Sequence, residues 1–327
     1  MNSGANSFSA GPGPGPRAPS ALAELQESPE LFGEGRRLMG VITPAVGGKH
    51  PPLACLLLNA GVIHRIGPHR INVKLARALA AVGVTSIRFD LSGLGDSRAA
   101  TSAADFRGQA VTDMQAAMDH LERTRGIRRF MLMGICSGAV NGYWLALADP
   151  RVCGLFMFDG FAYRTWKTSW VRLWSLLRVT PPHQLPGKLA SRLRRLVARL
   201  RPGGEVADVL PDARSAAPSP EEFKRALNSM LARGTSIVAM FSGSAIDSYS
   251  YQGQMRDAFP GAEFLKSLRV ELVQDIDHTI TPLAAQAWLT AEFCRWAEGV
   301  ALAGASEAPS EISERNATQA PSDGGAR

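Results

Sequence analysis

The chain has 327 residues, 45% of them hydrophobic and 20% charged, the composition of an ordinary globular protein. No run approaches the roughly 18 uninterrupted apolar residues of a membrane-spanning helix. The four cysteines (Cys55, Cys136, Cys153 and Cys294) form no CxxC pair, which argues against a disulfide framework and for a reducing, cytoplasmic setting. The net charge of +7 is concentrated: Ala162–Pro202 carries ten Lys/Arg and no Asp/Glu, leaving the rest of the chain at −3.

Residues 1–28 read as a disordered leader. They are rich in Gly, Pro, Ser and Ala, without the basic start and apolar stretch of a signal peptide. From there strands and helices alternate. Leu38–Thr43 and Leu53–Leu58 are short apolar runs, as expected of strands buried on both faces. Ile71–Val82 places Leu75, Leu79 and Val82 on one helical face and is stopped by Gly83. Val84–Phe89 predicts a strand, Gln109–Arg125 a helix, Arg129–Met133 a strand, Gly138–Ala148 a helix and Val152–Phe158 a strand. The alternation resumes with strands at Ser236–Phe241 and Arg269–Val273 and closes with a helix over Pro282–Trp296. Such a pattern predicts a mostly parallel sheet with helices on both faces and ligands at the carboxyl ends of its strands. The core is expected over 29–160 and 234–299. Between them 161–233 is too long for a loop and reads as an inserted helical cap. Residues 300–327 read as a disordered tail.

The chemistry is expected in Gly134-Ile135-Cys136-Ser137-Gly138, a G-x-nucleophile-x-G turn between a strand and a helix. The glycines relieve the crowding of so sharp a bend. The thiol of Cys136 then stands at a helix N-terminus, where the dipole favours a thiolate. The amide of Ser137 is one expected oxyanion donor. The second comes from the loop after Leu53–Leu58, with the amide of Val62 as candidate. A general base should follow the last strand, and His278 is the one histidine there. The acid orienting it is expected after a strand between the two. Asp247 is favoured, with Asp159 as the alternative, and Asp277 reads as a loop carboxylate. His64 and Arg65 are candidates for the mouth of the site. Asp90–Ser97 contains G-x-G but no GxGxxG, no Walker sequence occurs, and no His/Cys spacing suggests a metal, so neither cofactor nor metal is expected.

These stretches resemble the α/β-hydrolase superfamily, and within it the exosortase A system-associated, serine aminopeptidase-like hydrolases. The resemblance rests on Leu58–Arg70 (LNAGVIHRIGPHR), Arg88–Ser97 (RFDLSGLGDS), Gly134–Ala139 (GICSGA) and Asp277-His278-Thr279. It implies an α/β-hydrolase fold with a triad in the order nucleophile, acid, histidine. A cysteine where the family usually has serine is similar to dienelactone hydrolases. The four-residue spacing of Gly243 and Asp247 departs from the shorter spacing of many relatives, which puts the acid in doubt.

In the cap, Trp166, Trp170 and Trp174 recur every four residues and, with Leu173 and Leu177, make an apolar helical face. Leu189, Leu193, Leu196, Val197 and Leu200 form a second stripe among Arg192, Arg194, Arg195 and Arg199. Three readings stand. The stripe packs on the domain; or it is a lid over an acyl site, with Trp166 and Trp170 at the substrate mouth and arginines receiving coenzyme A or an acyl carrier protein; or it is a basic amphipathic segment on an anionic membrane. Nucleic acid is not expected, because no binding motif accompanies the charge. The expected function is hydrolysis of an ester or thioester through an acyl-cysteine. Acyl transfer by the same intermediate and a non-catalytic binding protein of this fold are the alternatives. The oligomeric state is open.

Overall fold

The structure is a computed structural model, described for residues 26–47, 52–101, 105–179 and 217–306. Eight strands form one sheet in the order β1-β2-β4-β3-β5-β6-β7-β8. They are β1 (Ser28–Phe32), β2 (Leu38–Thr43), β3 (Leu53–Leu57), β4 (Thr85–Phe89), β5 (Arg129–Ile135), β6 (Val152–Phe158), β7 (Ser236–Ser242) and β8 (Arg269–Val273). The pairs β1–β2 and β2–β4 are antiparallel, and all others parallel. The helices are α1 (Ile71–Ala81), α2 (Phe106–Arg125), α3 (Ser137–Ala148), α4 (Trp166–Val179), α5 (Pro220–Ala232), α6 (Gln254–Ala258) and α7 (Leu283–Ser306).

The period-2 alternation of the central strands builds two cores. Ala54 and Leu56 of β3, with Phe130 and Leu132 of β5, meet Met114, Met118 and Leu121 of α2, Tyr143 of α3 and Phe223 of α5. Cys55, Leu57, Met131 and Met133 point the other way, onto Leu75 and Leu79 of α1 and Leu289 and Phe293 of α7. The expected strands and helices of the core are present, with ends moved by a few residues. Helix α2 starts three residues earlier than expected because Asp105 caps it, accepting from Gly108 N at 2.8 Å, and it stops at a left-handed Gly126.

Three differences have physical causes. Strand β1 begins at Ser28, inside the expected leader. Its sequence, SPELF, alternates half-buried and exposed positions and carries a proline, as an edge strand can, so no apolar run announces it. Helix α7 continues to Ser306, past the expected start of the tail, because Val300 and Ala301 are still buried against the core. Helix α5, assigned to the cap, belongs to the core. A capping box of Ser219 and Glu222 starts it, and Phe223, Ala226, Leu227 and Met230 bury one face. The second basic stripe, Leu189–Leu200, lies outside the described residues. Among the described residues no helix is long and apolar enough to cross a membrane.

Candidate active site

Strand β5 ends at Ile135, and α3 begins at Ser137. The single residue between them, Cys136, takes φ 57° and ψ −120°, a conformation that costs an L-residue energy. Its surroundings hold it there. The Cys136 amide donates to Phe158 O of β6 at 2.9 Å, while its carbonyl accepts from Ala139 N at 3.0 Å at the head of α3. Both flanking glycines are required by close approach. A Cβ on Gly134 would lie 2.3 Å from the Gly138 carbonyl carbon, and one on Gly138 would lie 2.5 Å from the Asn59 carbonyl oxygen. The second contact presses the loop after β3 against the elbow.

That loop is braced from below. Asp90, at the end of β4, is fully buried and accepts from Asn59 Nδ2 at 3.2 Å, Arg65 N at 2.6 Å, the Arg65 guanidinium at 2.5 Å and Asp96 N at 3.2 Å. His64 stands 3.3 Å from Asp96. His64, Asp90 and Asp96 are close enough together to suggest a cation site. The guanidinium of Arg65 already lies against both carboxylates, 2.8 Å from Asp96, so the cation of this cluster is an arginine. Arg65, expected at the substrate mouth, is here mostly buried and braces the loop. The amide that the loop brings to the elbow is that of Gly61, donating to Ser137 Oγ at 2.6 Å. It lies one residue before the expected Val62, whose side chain is exposed. The positive φ of Gly61, 58°, turns the chain at that point.

The imidazole of His278 lies beside the thiol of Cys136, close enough to act on its proton. On its other side His278 Nδ1 lies 2.7 Å from Asp159 Oδ2. Asp159 is the first residue after β6, with φ 52° and its amide bonded to Met240 O of β7 at 2.8 Å. Its carboxylate, 3% exposed, also accepts from Ser242 N at 2.7 Å and Ser242 Oγ at 2.6 Å. Because Ser242 gives its proton to Asp159, it accepts from Ser244 Oγ, 3.1 Å away, and Ser244 in turn accepts from His278 N at 2.7 Å. Donor and acceptor roles thus run one way from the backbone of the histidine back to the carboxylate. A carboxylate on Nδ1 fixes the proton there and leaves Nε2 for the thiol.

Asp247 is corrected accordingly. It ends a 3-10 turn, Gly243–Asp247, five residues beyond β7, whereas the Nδ1 position is filled by Asp159. The cause is sheet geometry. Phe158 pairs with Met240, so the residue just past β6 lies beside the end of β7, facing the loop after β8. Gly243 lets that loop come close, since a Cβ there would lie 2.0 Å from Gln274 O. Ser242 and Ser244 were missed, and only their place just past a strand end marks them in the sequence. Asp277 accepts from Thr281 N at 2.7 Å and from the hydroxyls of Thr279 and Thr281, shaping the histidine loop. Burial would raise its carboxyl, but these bonds outweigh that and hold it at about 2.

Electrostatics follow from these contacts. The bond from Asp159, then the neighbouring Cys136 thiol, raises His278 to about 10 against the opposing effect of burial. The neighbouring imidazole of His278 pulls the Cys136 thiol below its ordinary value, although burial and the Asp159 carboxylate push it up. Both directions favour a thiolate–imidazolium pair. The His278 side chain remains 44% exposed, so water reaches it. On α4, Trp166 and Trp170 are exposed rather than packed on the domain.

No protein-family model matches the chain, and neither does any curated protein sequence. Solved structures do. An esterase from Pyrococcus furiosus aligns at 12% identity over 88% of this chain and 96% of that one, with TM-score 0.52. An α/β serine hydrolase homologue from Coxiella burnetii aligns at 12% identity over 83% and 96%, with TM-score 0.49. An epoxide hydrolase from Vigna radiata aligns at 17% identity over 84% and 99%, with TM-score 0.47. The fold is that of the α/β-hydrolases. At these identities the likeness concerns the fold alone, and the Pyrococcus alignment carries it. Within this α/β-hydrolase fold, Cys136, Asp159 and His278 stand at the carboxyl ends of β5, β6 and β8, three strands that only the tertiary structure gathers.

Proposed function

We propose that the chain is an acyl-group hydrolase acting on thioesters or activated esters through a covalent acyl-cysteine. The observation that carries this reading is the imidazole of His278, bonded at Nδ1 to Asp159 and lying beside the thiol of Cys136 on a strained elbow. The thiolate of Cys136 attacks the carbonyl carbon, and the carbonyl oxygen takes up the electron pair. The amide of Ser137 on the elbow and that of Gly61 on the loop beside it are the donors this reading assigns to that oxyanion. The Gly61 N–H is released to it when the Ser137 hydroxyl turns away. The tetrahedral species collapses as imidazolium gives its proton to the leaving sulfur or oxygen. Water then attacks the acyl-cysteine, neutral His278 takes its proton, and the acid and the thiolate are released. Asp159 keeps the imidazole in the tautomer that both halves require. Exchange of one thioester for another is nearly thermoneutral, which ranks thioesters above amides. The likeness to exosortase A system-associated hydrolases, supported by the quoted motifs, belongs to this reading. Transfer to an acceptor other than water uses the same acyl-enzyme.

The test compares wild type with Cys136→Ala on p-nitrophenyl acyl esters and acyl thioesters, with intact-mass measurement after brief mixing. The expected outcome is loss of at least about a thousandfold in kcat/KM, with an acyl adduct on wild type only. Equal rates in the two proteins would end the enzyme reading and leave a binding protein of this fold.

A further inference from the structure

Helix α4 turns its tryptophans outward. Steps of four residues advance about 40° around a helix, so Trp166, Trp170 and Trp174 share one narrow face. A surface helix normally buries such a stripe. Among the described side chains at its start, the contacts are polar. Thr168, 1% exposed, accepts from Thr165 N at 3.0 Å, Thr165 Oγ1 lies 2.7 Å from the Tyr251 hydroxyl, and Lys167 Nζ meets Asp257 at 2.8 Å. The three indoles are 72%, 56% and 59% exposed. Three indoles left in water along one face of one helix mark a contact surface.

We infer that this face docks on an anionic phospholipid bilayer. Indole, with an apolar body and one N–H donor, is the side chain best suited to the boundary between headgroups and acyl chains. The charge of the surrounding chain fits the same surface. Arg164 beside the indoles is exposed, while Lys167 is paired with Asp257; along the sequence, Ala162–Pro202 carries ten cations and no anion, and the remainder of the protein is net negative. Apolar insertion and cation attraction are the two contributions that hold an interfacial helix. A second copy of the chain, carrying the same ten cations and no anion over Ala162–Pro202, is the poorer partner.

The test floats the full-length protein with vesicles of phosphatidylcholine alone and with added phosphatidylglycerol, in wild type and in Cys136→Ala. Binding is expected only with the anionic lipid, weakening with salt and accompanied by a blue shift of indole emission. Joint replacement of Trp166, Trp170 and Trp174 by Ala should lower partitioning by at least about tenfold, and Trp170→Glu alone should lower it too. Both variants should keep the wild-type circular dichroism, since the side chains removed face solvent. The inference is overturned by absence of flotation, by equal binding to both vesicle types or by unchanged binding of the Trp variants. It is equally overturned by indoles shielded from a soluble quencher without vesicles, or by a dimer that the Trp variants dissolve. Scoring Cys136→Ala keeps this outcome separate from that of the catalytic reading.

Discussion

Three side chains set the reactivity of the site, and each acts on its neighbour's proton. Asp159 raises His278, and His278 lowers Cys136. The sign of the pH dependence follows. The stabilisation His278 gains on folding is fully present below its unfolded value of about 6.5 and is lost as pH rises through about 10. The thiolate of Cys136 contributes above the unfolded thiol value and loses that contribution as pH falls through its lowered one. Alkylation by iodoacetamide, followed against pH, should therefore reach half its plateau below the roughly 8.5 of a free thiol. His278→Asn should move that midpoint upward, and an unmoved midpoint would show that the imidazole does not activate the thiol. The two carboxylates separate cleanly. Asp159→Asn should lower kcat by about 10²–10⁴ with little change in KM, whereas Asp247→Asn should stay within about threefold. The reverse ranking would restore Asp247 as the acid.

At the scale of elements, precision comes from glycines and one buried carboxylate. Gly138 lets α3 touch the backbone of Asn59, and Gly243 lets the loops after β7 and β8 meet. Gly138→Ala puts a methyl group 2.5 Å from a backbone oxygen that cannot rotate away. The variant should lose about 1–3 kcal/mol of stability and should lose kcat beyond that, because the Gly61 amide is displaced with the loop. Denaturant titration and steady-state kinetics at a temperature where the variant is folded separate the two effects. Asp90 shows the same economy. One carboxylate holds the strand end, the loop amide of Arg65 and its guanidinium, and so keeps the loop after β3 in place without touching substrate.

At the scale of the whole molecule, two surfaces diverge. The carboxyl edge of the sheet carries Cys136, Asp159 and His278, and the outer face of α4 carries exposed indoles in a stretch where all the formal charge is positive. The alternation of strands and helices was readable along the chain because each element buries its own periodic face, and the glycine-flanked turn at Cys136 was readable because its sterics are local. The edge strand Ser28–Phe32 was not, since a short half-exposed strand needs no apolar run.

The sequence by itself determined the elements of the core, the elbow and the histidine loop, all properties of neighbours within a few residues. Only the tertiary structure decided which carboxylate meets His278, which amide reaches the elbow and which way the tryptophans of α4 turn. Each of these depends on groups far apart along the chain, brought together by strand order and close backbone approach, and local pattern carries no record of that.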